Sequence, residues 1–160
     1  MENYRVAKVV RDHKEESITS VDWTSDGNYL LTASDSILCL YNAASAFVSR
    51  APSGTTHGCA GATLTQDYLA VLCASRPAGS RNAASVEEAH AIRYLSLHDN
   101  AYMRVFTGHS AAVVSLSMSP SADIFASTSM DQTMRLWDLR SPHCIGVTRI
   151  EGDARRPVAT

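Results

Sequence analysis

The chain has 160 residues, 45% hydrophobic and 19% charged, which suits a single soluble globular unit with its own core. A net charge of −2 and a pI near 6.3 argue against a nucleic-acid footprint, which needs a strongly basic face. The charged opening MENYRVAKVVRDHKEE has no apolar stretch of the secretory kind, and the longest apolar run, residues 68–74, is far too short to span a bilayer.

Taken in chain order, the expected elements are short strands separated by turn residues. Residues 5–11 read as a first strand. The run ITSVDWTSDGNYLLTASDSILCLYN, residues 18–42, reads as three more, with Ser25, Asp26, Gly27 and Asn28 as a turn. GATLTQDYLAVLCAS supplies two strands and AIRYLSLHD a third, separated by an insertion at residues 75–90. Within the insertion, NAASVEEAHA fits one or two helical turns. AYMRVF follows as a strand. Val114 to Ser119 then alternates apolar and polar without a break, the period-two mark of a half-buried strand. Met134-Arg135-Leu136-Trp137 reads similarly, and turns fall at Ser119-Pro120-Ser121 and Asp131-Gln132.

These strands form a repeat. Residues 18–42 align with residues 113–138 through one single-residue gap, so that Val21 meets Leu116, Trp23 meets Met118, Leu30 meets Phe125, Leu40 meets Leu136 and Tyr41 meets Trp137. His13 and His109 stand 96 residues apart, about twice the 40–45 residues of one propeller blade, so a middle copy is expected. GATLTQDYLAVLCAS reads as its first two strands, His57 and Asp99 belong to it, and His98-Asp99 is placed where Trp137-Asp138 stand in the next copy. The expected fold class is all-β: a β-propeller, with about three blades of an incomplete ring.

The stretch RVFTGHSAAVVSLSM admits two chemistries. Gly108-His109-Ser110-Ala111-Ala112 nearly fits a nucleophile elbow, which would make Ser110 the nucleophile of a serine hydrolase. An elbow is strand, strained turn and helix, whereas a strand follows Ser110, and no parallel βαβ pattern or ordered acid and histidine follows either. The other chemistry is structural. His109, Ser127, Asp131 and Trp137 have the order and spacing of a buried tetrad that links carboxylate, imidazole, hydroxyl and indole N–H. Each bond is worth about 1 kcal/mol net, and an orphaned partner costs more. His13, Thr32, Asp35 and Tyr41 form a degenerate version. In both copies histidine and aspartate are 22 residues apart. No catalytic residue is expected.

Four cysteines (Cys39, Cys59, Cys73, Cys144) show no C-x-x-C pair or metal spacing, and the six histidines do not pair at i, i+4. His98-Asp99 lacks the further ligands of a metal site. No metal and no cofactor are expected, and reduced cysteines in apolar strands point to an intracellular compartment.

The run GHSAAVVSLSMSPSADIFASTSMDQTMRLWDLRS, and the longer stretch of residues 92–146 around it, resembles the WD-repeat subunit of COMPASS-type histone methyltransferase complexes. That family also serves protein phosphatase 1 and polyadenylation-factor complexes in transcription termination. The resemblance covers most of the chain, with departures at residues 49–61 and 75–90. It implies a seven-bladed ring, of which residues 1–13 are the outermost strand closing the last blade. Residues 14–50 are then blade 1, 51–106 blade 2, 107–150 blade 3, and 151–160 the start of the next. A fragment of a longer protein is the expectation, with completion by another chain as the alternative.

The resemblance also implies a non-catalytic nuclear adaptor that holds methyltransferase or phosphatase regulatory subunits and meets the phosphorylated tail of RNA polymerase II. No direct contact with nucleic acid, membrane or small-molecule substrate is expected. Candidate partner contacts are Arg93, Arg104, Arg135 and Arg140, whose guanidinium groups suit phosphate or acidic peptide, and the turn residues His98, Asp99 and Asn100. A generic WD-repeat scaffold from a ubiquitin ligase or a trafficking coat is the rival reading.

Overall fold

The structure is a computed structural model that describes residue 9 and residues 11–45, 53–54, 58–67, 69–76 and 86–150. It contains three four-stranded antiparallel sheets, each a meander in which consecutive strands pair. The first consists of β1 (Ser20–Trp23), β2 (Tyr29–Ala33), β3 (Ile37–Asn42) and β4 (Ser53–Gly54). The second consists of β5 (Gly61–Leu64), β6 (Ala70–Ala74), β7 (Ile92–Ser96) and β8 (Ala101–Phe106). The third consists of β9 (Val113–Met118), β10 (Ile124–Ser129), β11 (Thr133–Asp138) and β12 (Cys144–Arg149). A single helical turn, α1 (Val86–Ala89), lies between β6 and β7.

The sheets pack face to face in chain order, and the apolar pattern of the strands says why. β3 and β6 are nearly continuous apolar runs, ILCLY and AVLCA, because neighbours cover both of their faces. Leu31, Ala33, Leu38 and Leu40 of the first sheet meet Leu64, Val71, Cys73 and Leu95 of the second in one core. Leu72, Ile92 and Phe106 on the opposite face of the second sheet meet Val113, Phe125 and Trp137 of the third in another. In that second core Phe106 stands edge-on to Phe125 at 5.0 Å, and Phe125 stacks on Trp137 at 6.2 Å. Each sheet alone leaves an apolar face in water, so stacking is what makes these short strands stable.

The blade boundaries differ from expectation in one place. β4 pairs with Ile37 and Leu38 as the fourth strand of the first sheet, so that sheet extends past residue 50 into the segment assigned to blade 2. β3 is buried along its length and needs a hydrogen-bonding partner on its far edge, which a two-residue strand supplies. Most of the leading strand, residues 1–13, lies outside the described residues, as do the start of the next blade at 151–160 and residues 77–85 of the insertion.

The register also corrects the middle copy. Backbone N–H groups of Thr24, Thr65 and Ser119 each close an inner strand by bonding to Tyr29, Ala70 and Ile124, respectively, which makes those three positions equivalent. Counting from there, Val71 matches Phe125 and Leu95 matches Trp137. His98 and Asp99 therefore fall in the β7–β8 turn and not where Trp137 and Asp138 stand. The long insertion hides this three-residue slip from a sequence count.

Candidate functional site

The third sheet carries a continuous hydrogen-bonded chain. The Trp137 indole N–H donates to Ser127 Oγ at 2.8 Å, and Ser127 Oγ lies 2.8 Å from His109 Nε2. His109 Nδ1 lies 2.8 Å from Asp131 Oδ2. Each group has one role. The indole donates, the serine hydroxyl donates onward to Nε2, and the Nδ1–H of a neutral imidazole donates to the carboxylate. His109 is 1% exposed and Trp137 and Ser127 are fully buried, so every donor and acceptor here needs its partner.

The strands position these groups in a simple way. Phe125 and Ser127 are two apart on β10 and so share the face toward the second sheet, as do Arg135 and Trp137 on β11. Asp131 sits in the tight β10–β11 turn, where Gln132 has φ 62°. Its carboxylate also accepts from the Thr133 N–H at 2.9 Å, the Thr133 hydroxyl at 2.6 Å and the Ser110 N–H at 3.1 Å. Gly108 has φ +147°, a backbone conformation that favours glycine before His109; a Cβ there would also stand 2.6 Å from Arg135 Nη1, the movable end of a long side chain.

Burial lowers the His109 pKa against the pull of Asp131, with Arg135 and His90 adding to the lowering, and keeps the ring neutral. Burial alone would raise Asp131. Hydrogen bonds from Thr133, His109 and the Ser110 N–H outweigh it and hold that carboxyl well below the usual range. Ser110 lies in the loop before β9, with a strand and no helix after it, and both nitrogens of the adjacent imidazole are already engaged.

The first sheet keeps only part of this network. His13 Nε2 lies 2.6 Å from Thr32 Oγ1, and Thr32 in turn bonds to the Tyr41 hydroxyl. Asp35 does not reach the ring and pairs with Arg76 of the second sheet. The turn donors it would take are held by Glu16, which accepts from the Ser34 hydroxyl at 2.7 Å, the Ser36 N–H at 3.0 Å and the Ser36 hydroxyl. Those bonds pull Glu16 down to about 2, while burial lowers the His13 pKa. His13 Nδ1 is left buried with no protein partner. In the second sheet Cys73 stands at the level of Ser127, and His57 lies outside the described residues.

The candidate partner contacts separate into two groups. Arg93 is 4% exposed and its guanidinium donates to the Ser75 hydroxyl, so it is not a surface contact; it replaces part of the missing network inside the second sheet. Arg104 is half-buried and donates to the Leu139 carbonyl, which ties the second sheet to the third. Arg135 is half-buried over Gly108. Arg140 is exposed and forks onto Asp138 at 2.9 and 3.0 Å. His98, Asp99 and Asn100 form an exposed turn, with His98 Nδ1 2.6 Å from Asp99 Oδ1 and Asn100 at φ 52°. Among the described residues no group of three or more His, Cys, Asp or Glu comes together in a way that would hold a metal.

Sequence reading missed the ties between inner strands. Ser20 Oγ accepts from the Ala62 N–H at 2.8 Å, and Asp22 Oδ2 accepts from the Leu64 N–H at 2.8 Å and the Thr63 hydroxyl at 2.6 Å. The polar positions of the SVDW alternation were the available signal, but their partners lie some forty residues away.

Consecutive four-stranded meanders, with a histidine, serine, aspartate and tryptophan joined across one of them, define a repeat of the propeller class. The chain matches the family described as "WD domain, G-beta repeat" over residues 5–42 and 100–138, and carries WD repeats there. It is similar to "WD repeat-containing protein 82" of Drosophila melanogaster, 36% identical over 98% of this chain and 45% of that protein. It is also similar to "Set1 complex component swd2" of Schizosaccharomyces pombe, 34% identical over 83% of the chain and 35% of that protein. A further relative is "COMPASS component SWD2" of Saccharomyces cerevisiae, 32% identical over 77% of the chain and 35% of that protein. The chain spans less than half the length of each of these curated relatives.

Proposed function

We propose that the protein is a non-catalytic scaffold subunit of a nuclear histone methyltransferase complex, and that the same surface serves a transcription-termination phosphatase complex and the phosphorylated tail of RNA polymerase II. The observation that carries this reading is the similarity, over at least three-quarters of the chain, to two proteins named as Set1 or COMPASS components. The third-sheet network acts as a structural peg: its imidazole is neutral, buried and doubly engaged, so no base is free to activate Ser110. The exposed turn of His98, Asp99 and Asn100, together with Arg140, supplies the polar surface through which protein partners bind.

Affinity purification of the tagged, intact protein from nuclear extract, followed by mass spectrometry, tests the reading. Recovery of methyltransferase or phosphatase subunits is the expected result. Recovery of ubiquitin-ligase or coat subunits without them would replace it with the generic scaffold reading.

A further inference from the structure

The three inner strands invite a position-by-position comparison. With Thr24, Thr65 and Ser119 equivalent, Asp22, Thr63 and Ser117 occupy one position, and Trp23, Leu64 and Met118 the next. The N–H groups of Ala62 and Leu64 point away from β6, along the free edge of β5, because Thr65 is the residue that bonds to β6 there. Between the first and second sheets, Asp22 fills that edge by taking the Leu64 N–H and the Thr63 hydroxyl together, while Ser20 takes the Ala62 N–H.

Between the second and third sheets the receiving half is conserved and the giving half is changed. Met118 presents the edge N–H equivalent to that of Leu64, and Ser117 presents the hydroxyl equivalent to that of Thr63. The positions that should answer are Gly61, which has no side chain, and Thr63, whose hydroxyl is committed to Asp22. Among the described residues no side chain meets the Ser117 hydroxyl or the Met118 N–H. Both line an open cleft of about 340 Å³ whose walls include Trp23, Leu64 and Pro120. Trp23 is 53% exposed there.

We infer that this cleft is a docking site for an acidic side chain of a partner peptide, its carboxylate taking the Ser117 hydroxyl and the Met118 N–H as Asp22 takes their counterparts one sheet earlier. Two converging donors beside an apolar wall suit a glutamate or aspartate flanked by an apolar residue. The Asp22 carboxylate lines the same cleft and repels an incoming acid, so neutralising it tightens binding. The site is independent of which complex the protein serves.

The test is an amide-resolved NMR titration of the intact protein with N-acetyl-glutamate amide, N-acetyl-glutamine amide and inorganic phosphate as separate probes. Saturable shifts of the Leu116, Ser117 and Met118 amides with the glutamate probe alone are expected. Asp22→Asn, which removes the repelling charge, strengthens the response, and Ser117→Ala weakens it while leaving the fold intact. Equal shifts with glutamine, stronger shifts with phosphate, or an undiminished response in a folded Ser117→Ala variant would each overturn the assignment.

Discussion

At the scale of single residues the third-sheet network sets the stakes. Ser127→Ala leaves the Trp137 indole N–H and His109 Nε2 without partners in a dry core, which costs about 2–3 kcal/mol. Chemical denaturation of the variant should show that loss, and Ser110→Ala should stay within about 0.5 kcal/mol of the parent. Gly108→Ala places a side chain on a backbone at φ +147° and destabilises the fold by about 1–3 kcal/mol, as the Arg135 guanidinium moves aside.

The pH response follows from the same groups. His109 and His13 both have folded pKa values below their ordinary 6.5, so the folded state binds fewer protons than the unfolded chain. Their stability is fully present above pH 6.5 and is lost as pH falls below it toward the folded values. Asp131 and Glu16 are also held low, which adds a second loss as pH falls below the ordinary carboxylate range. Thermal melts across this range should show two descending limbs, with Asp131→Asn reducing the more acid one. A melting temperature that rises on acidification from neutral pH would contradict these assignments.

Elements show how much of the architecture could be read from the letters. The third sheet was legible because its polar residues interrupt otherwise apolar strands at fixed places, and only a β-meander brings His109 to Asp131 across 22 residues. The second sheet was harder. Its insertion breaks the count, so His98-Asp99 was assigned to a strand end when the register puts Leu95 there. Arg93 looked like a surface residue because an alternating strand normally turns charge outward, but both faces of β7 are covered and Ser75 accepts its guanidinium. The first sheet misled through its own regularity. Asp35 has the right spacing from His13, yet Glu16 fills the turn from the other side.

The joints between sheets were invisible in the sequence, since a tie such as Asp22 to Thr63 depends on stacking and leaves no periodic trace. A double-mutant cycle pairing Asp22→Ala with Thr63→Val should give a coupling of about 1–2 kcal/mol, because a charged acceptor is shared by both strands. A coupling near zero would mean that β1 and β5 are held by their apolar core alone.

For the whole molecule, the consequence is a stack of three sheets joined through shared apolar layers. Core layers run from sheet to sheet through Leu40, Val71, Leu72 and Phe106 to Trp137, so a change in the third-sheet peg is felt in the packing of the second sheet. Ser110, by contrast, touches only the edge of that peg through its backbone. The most direct measurement is therefore the histone methyltransferase activity recovered with the tagged, intact protein carrying either Ser110→Ala or Ser127→Ala. The scaffold account predicts parental activity with Ser110→Ala and reduced recovery with Ser127→Ala, in step with its loss of stability. Loss of activity with a stably folded Ser110→Ala protein would contradict it.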